Sequence, residues 1–455
     1  MKFHFLICWG RWAGVLGLSL SAQAQEPPSP VTPAAIAPAS NQAVASAGTE
    51  VTRLDRVSPL GSVPDWSKLE AFAKTMSKEE FEKAWQQIYS EENGLPPPFR
   101  ITPDSLEVPT GNSSKPSLKI PFRESKGPAA TAGKSSWRRA RDLAPLNDRP
   151  PLSDLHIAID PGHIGGPWSV MEERYLSLKQ GEFIREGDLS LLTAKVLKER
   201  LLKLGAVVSL VRENTEPVTA KRPPDFESEA LLVLKEAGFP TPAASYKDLT
   251  GDAKLITVQW QSEKLFYRVS EIHARAERIN QQIKPDLVLC LHFNAEPWGD
   301  ATSPQFSPQN HLHVMINGCY APVELAQQDV RYQMLARLFG RVHEEELPLA
   351  TAVAESMARI TGLPAYVYTR PNARHAGTSP YVYARNLLAN RLYECPVVYL
   401  EPYVMNHELT YRRLLAGHYL GRTLMGGKLI TSAIEDYVRG VVEGLLSHYK
   451  THRPS

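Results

Sequence analysis

From Leu152 onward, short apolar runs alternate with stretches of helical periodicity, and few folds accommodate that alternation. The runs IAID, AVVSLV, LVLCL and PVVYLE are too short for helices and show almost no polar face, the pattern of strands buried on both sides. Between them, Leu189, Leu192, Val196 and Leu197 mark one face of a helix over about Asp188–Leu204, and Val269, Ile272, Ala276, Ile279 and Ile283 mark a second. A strand at HLHVMIN, helices near 323–340 and 345–361, and a terminal helix over about Leu429–Tyr449 complete the series. The repetition predicts an α/β domain over residues 152–450: a single mostly parallel twisted sheet with helices on both faces. In such sheets ligands collect beyond the carboxyl ends of the strands.

The upstream third is organised differently. Lys2 and Arg11 flank an apolar start, and Ala22-Gln23-Ala24 supplies a small-x-small cleavage pattern, so residues 1–24 read as a signal peptide. Its apolar core is too short to span a bilayer, and Cys8 is poorly placed for lipidation, so no stable membrane anchor is expected. Residues 25–61 are rich in Pro, Ala and Ser and predict an extended tether. Capping-box spacing at Ser67 with Glu70 and at Ser77 with Glu80, followed by FRITPDSLEV and SLKIPF, predicts a small α+β accessory module over 62–124. A polar linker over 125–151 follows, its Arg138, Arg139 and Arg141 expected to be solvated.

With 51 Lys+Arg against 49 Asp+Glu, bulk charge favours neither nucleic acid nor an anionic membrane. Export leaves Cys290, Cys319 and Cys395, an odd number expected to be buried thiols, with a single bridge as the alternative.

Two histidines stand at equivalent topological positions. His163 follows the strand closed by Asp160-Pro161-Gly162, and His292 follows LVLCL directly. Both therefore belong at the carboxyl edge of one sheet. Glu186, just ahead of the first helix, can reach back over that edge, in competition with Glu172, Glu173 and Glu182. His, Glu, His with an open fourth position is a ligand set of catalytic zinc. Glu401 ends PVVYLE at the same edge, where a carboxylate near the metal can handle protons; a buried ion pair with Arg374 or Arg385 is its alternative. Asp160 and Asn294 are candidates to orient the imidazoles, and Asn294 and His375 to contact substrate. His311, His313 and His407 remain without an assigned role.

Four stretches, IAIDPGHIGG, REGDLSLLTAKVLKERLLKLGAVVSLVR, RAERINQQIKPDLVLCLHFNAE and PVVYLEPYVMN, together resemble the successive motifs of the zinc-dependent N-acetylmuramoyl-L-alanine amidases of the amidase-3 type. The resemblance covers about residues 155–212, 268–296 and 395–408. It implies one α/β catalytic domain, His163, Glu186 and His292 as zinc ligands, Glu401 as the catalytic glutamate, and peptidoglycan as substrate. The implied reaction is hydrolysis of the amide between N-acetylmuramic acid and L-alanine. The chain departs from the pattern at Ile164, Gly187 and Cys290, after Glu401, and in the insertion 213–266, which is open to reading as a lid or as surface elaboration. A zinc peptidase acting on the stem peptide and a non-catalytic wall-binding protein are the alternative functions. An exported chain belongs in the periplasm or outside the cell, and no motif here tells whether an activator protein is needed.

Overall fold

The computed structural model describes residues 54–454, apart from 92–95, 128–134, 178–181, 250 and 298–304. The expected signal peptide over 1–24 and the expected tether up to residue 53 lie outside the described residues.

Seven strands form the main sheet: β1 (His156–Pro161), β2 (Val207–Leu210), β3 (Leu287–Leu291), β4 (Leu312–Ile316), β5 (Arg374–His375), β6 (Val382–Ala384) and β7 (Val397–Pro402), in the order β5-β6-β4-β7-β3-β1-β2. Pairs β1/β2, β1/β3, β3/β7 and β4/β6 are parallel; β4/β7 and β5/β6 are antiparallel. The sheet is thus mostly parallel, as the alternation predicts. Because β4 runs against β7, the amino-terminal end of β4 lies at the carboxyl edge of β7, β3 and β1.

The register sorts side chains into two layers. Ile157, Ile159, Leu289, Leu291, Val314 and Leu400 belong to the larger core cluster, with residues of helices α1 (Glu186–Lys203), α2 (His343–Thr361) and α3 (Ala433–His452). Asp160, Cys290, Tyr399, Met315, Tyr383 and His375 form one row across the opposite face, by pairing from β1 through to β5. That face packs on Ala276 and Ile279. Cys290, Cys319 and Cys395 are buried and free, in line with the thiol reading.

Several boundaries differ from expectation. The second periodic helix extends back through the insertion to Val258 as alternating α and π segments ending at Ile283. The terminal helix begins at Ala433 rather than Leu429, because Lys428–Ile430 pairs with Thr423–Met425 as a hairpin and Ser432 caps the helix. Ser77 and Glu80 form the expected capping box, whereas Asp65 caps the 3-10 helix Trp66–Phe72 in place of the Ser67–Glu70 pairing.

The segment 62–124 folds as helices followed by a three-stranded antiparallel sheet and shares the large core instead of keeping its own. Phe81 packs against Phe339 with centroids 5.4 Å apart, and Trp66 meets Tyr332 edge-on at 5.6 Å. Nor is the 138–141 basic patch merely solvated, since Arg138 pairs with buried Asp286 at 2.6 Å and Arg139 with Glu344 at 2.8 Å. Residues 54–61, expected to end the tether, dock on the domain: Gln328 donates to the carbonyls of Asp55 and Arg56, and Ser58 N donates to Asp329 Oδ1 at 2.8 Å. Among the described residues, no helix is long and apolar enough to cross a membrane.

Candidate metal centre

The chain leaves β1 through Pro161-Gly162 and places His163 in the left-handed region, φ 56°. This backbone turns the ring back over the sheet edge. Gly162 is required there, because a Cβ would lie inside the His292 ring. Glu186 is the first residue of α1, two residues earlier than the predicted helix start. Its second residue, Gly187, fits directly against Ile164 and Gly165, where a Cβ would collide with backbone.

His163, Glu186 and His292 converge so that one donor atom from each lies within 4.8 Å of the others. Glu186 Oε2 is 3.1 Å from His163 Nε2, and its Oε1 is 3.0 Å from His292 Nδ1. Burial works against the charge of Glu186, but the two histidines override it and hold this carboxyl well below its ordinary range. His163 Nε2 is buried and, despite that 3.1 Å approach, has no partner of hydrogen-bonding geometry. A buried imidazole nitrogen without a proton partner, beside an ionised carboxylate and a second imidazole, fits a divalent metal of borderline softness. The three residues are therefore suited to hold one.

Support behind the donors is extensive. Glu172 lies 3.5 Å from His163 Nδ1 and accepts from Ile164 N at 3.0 Å and Gly165 N at 3.2 Å. Burial penalises its charge, yet His163 and these amides keep its pKa below normal. A carboxylate on Nδ1 fixes the tautomer that presents Nε2 to a metal. Tyr399 stacks on the His292 ring at 4.4 Å with 15° between planes.

Two buried arginines fix the loops through main-chain carbonyls. Arg275 donates to Pro161 O and to His163 O, each at 2.8 Å, while paired with Asp160 and Glu271, also at 2.8 Å. Arg212 donates to Gly162 O at 3.1 Å and Gly187 O at 2.6 Å, joining the His163 loop to the start of α1. Burial and the neighbouring Arg275 push the Arg212 pKa down to about 10, which leaves it charged at neutral pH. Asp160, a candidate to orient an imidazole, instead binds Arg275 and accepts from Tyr393 Oη at 2.6 Å.

Glu401 is the penultimate residue of β7, on the same face as Tyr399, and is 8% exposed. Its Oε2 is 3.3 Å from His313 Nε2, its cross-strand partner on β4, and not within ion-pair distance of Arg374 or Arg385. Burial opposes its charge, but His313 lowers the carboxyl pKa below the ordinary value. Asn294 is buried and donates to the Glu401 carbonyl oxygen at 2.9 Å. His375, on the outermost strand, meets the Tyr383 ring at a tilt with centroids 4.3 Å apart, three strand steps from Tyr399 and so roughly 14 Å from the strand that carries Glu401.

Glu172, His313, Arg212 and Arg275 have supporting roles that sequence patterns did not single out. The insertion forms a wall beside the centre. Phe226, Leu265 and Phe266 cluster with Ile164, Arg222 lies over Trp168, and Lys254 pairs with Glu173 at 2.7 Å. A cavity of about 140 Å³ opens against His163 and His292, bounded by Tyr267 and Arg268 of the long helix, by Arg391, and by Ser58 and Pro59 of the docked segment.

No family model and no curated protein matches the chain. Solved structures do. The apo form of the amidase Ami1 from Mycobacterium abscessus is 15% identical over 65% of this chain and 99% of its own, with a TM-score of 0.34. CwlD from Clostridioides difficile, solved in complex with the GerS lipoprotein, is 13% identical over 66% of this chain and 100% of its own, with a TM-score of 0.36. The catalytic domain of CwlV from Bacillus (Paenibacillus) polymyxa var. colistinus is 12% identical over 66% and 97%, with a TM-score of 0.34. Of these solved structures, Ami1 and CwlV are described as N-acetylmuramoyl-L-alanine amidases and CwlD as an amidase.

Proposed function

We propose that the chain is an exported zinc-dependent hydrolase that cleaves the amide between N-acetylmuramic acid and L-alanine in peptidoglycan. The observation that carries this reading is the buried convergence of His163, Glu186 and His292 within 4.8 Å, at a cavity and beside the end of the strand that presents Glu401. The substrate follows from the four motifs that resemble the amidase-3 type enzymes.

His163, Glu186 and His292 would hold the zinc, with Glu172 and Tyr399 fixing the two rings. Zinc, when bound, supplies a Lewis acid for the scissile carbonyl and lowers the pKa of water to about 7. Glu401 takes the proton of the attacking water and returns it to the leaving alanine nitrogen. His313 holds the Glu401 carboxylate in place during both transfers, and Asn294 fixes its backbone. The insertion wall and Tyr267 shield the reacting groups from bulk water.

The test is product analysis on purified sacculi. An amidase releases peptides with L-alanine at the new amino terminus and leaves free lactyl groups on the glycan. Peptides with any other new terminus identify a stem peptidase, and no release at all with retained sacculus binding identifies a wall-binding protein.

A further inference from the structure

The cavity beside the metal ligands has a basic wall that hydrolysis itself does not use. Asp160, Glu172 and Glu271 line it, and all three carboxylates are already engaged. Asp160 and Glu271 pair with Arg275 at 2.8 Å, and Glu172 binds the Ile164 and Gly165 amides. Two arginines on the same wall have no carboxylate within 4.0 Å among the described residues.

Arg391 is 6% exposed, and its hydrogen bonds go to neutral oxygens: Nε to Gln333 Oε1 and Nη1 to Asn386 Oδ1, both at 2.8 Å. Two fixed nitrogens hold the guanidinium in one orientation and leave Nη2 without a protein partner. Arg268 donates through Nε to Tyr267 Oη at 3.1 Å and lies over that ring, 5.2 Å from its centroid. Both of its terminal nitrogens are left for another acceptor. A buried cation without a counter-ion is costly, and the cost is offset when an anion enters. A guanidinium held in place binds a carboxylate with defined geometry at little further ordering cost.

We propose that Arg391 and Arg268 form a subsite for a carboxylate on the peptide side of the scissile amide, so that the enzyme selects acidic stem peptides over their amidated forms. This rests on the amidase reading and deepens it by naming the substrate class. The subsite acts on binding, because neither arginine hydrogen-bonds or ion-pairs with His163, Glu186 or His292.

The test uses the zinc-loaded full chain and two synthetic N-acetylmuramoyl peptides, identical except that the residue after L-alanine carries a free carboxylate or a primary amide. The wild type is expected to show a KM about tenfold lower for the acid. Arg268→Gln, on a half-buried side chain, and Arg391→Met are expected to bring the two KM values together, with kcat within about twofold and zinc content unchanged. Arg391→Lys, which keeps the charge and loses the fork, falls between. Calorimetric titration of the acid and amide peptides reads the same preference without turnover. Equal KM and equal affinity for both peptides in the wild type, or a preference that survives both Arg268→Gln and Arg391→Met, overturns the subsite. A protein that binds the acid more tightly yet cleaves neither peptide overturns the amidase reading and leaves the subsite standing.

Discussion

Glu401 and His313 are cross-strand neighbours on an antiparallel pair, with Oε2 and Nε2 3.3 Å apart at the edge where His163, Glu186 and His292 meet. Neither residue belongs to the donor group, so under the proposed function the pair would handle protons without holding the metal. Glu401→Gln is therefore expected to retain full metal content while turnover falls by ~10²–10⁴-fold. His313→Gln should lower kcat by a smaller factor and leave KM unchanged. Metal analysis alongside steady-state rates checks both, and normal turnover by the glutamine variant at position 401 contradicts the assignment of the base.

Glu172 holds the His163 ring from behind. Removing its charge in Glu172→Gln keeps the size of the side chain and most of its amide contacts, yet metal affinity should fall by ~10–100-fold. Chelator competition on the folded protein measures this. An unchanged affinity would make Glu172 a loop anchor only.

Arg275 satisfies three carbonyl and carboxylate groups around Asp160 and His163. Burial disfavours its charge, but Asp160 and Glu271 hold it firmly protonated. Arg275→Leu leaves those carboxylates buried without a cation and should cost about 3–5 kcal/mol of stability. Metal should also leave faster than from the wild type at a temperature where both are folded, because the His163 loop is released. Thermal unfolding together with chelator-driven metal release distinguishes the two effects.

Glu80, in the helix Lys78–Ala84, pairs with Arg341 of the main domain and with Arg123 of its own segment, each at 2.8 Å. Burial raises its pKa, but the Ser77 amide and Arg341 outweigh it and hold the value below 4.5. A depressed folded pKa means that the carboxylate stabilises the protein fully above the unfolded value, and that this contribution disappears as pH falls through the folded one. Wild type should melt higher than Glu80→Gln at pH 7 and lose that advantage progressively as pH falls below the ordinary glutamate range. A melting difference independent of pH contradicts the sign.

The sequence made the strands and three donors legible because each apolar run ends at the residue that reaches the sheet edge. Strand direction was not legible. His313 lies near the start of its strand, and the antiparallel placement of β4 against β7 brings that start to the edge where Glu401 lies. Choosing among Glu172, Glu173, Glu182 and Glu186 needed the path of the loop, which folds Glu172 beneath His163. Arg212 and Arg275 act on main-chain carbonyls, and such contacts leave no residue pattern. The same holds for residues 54–61, which look like tether by composition but dock through the carbonyls of Leu54, Asp55 and Arg56.

Metal analysis of the purified full-length chain by mass spectrometry tests the central claim most directly. The account predicts one zinc per chain in the wild type and none in the His163→Ala, His292→Ala double variant with its fold retained by circular dichroism. A folded wild-type protein without a stoichiometric transition metal, and unable to take one up from added zinc, contradicts it.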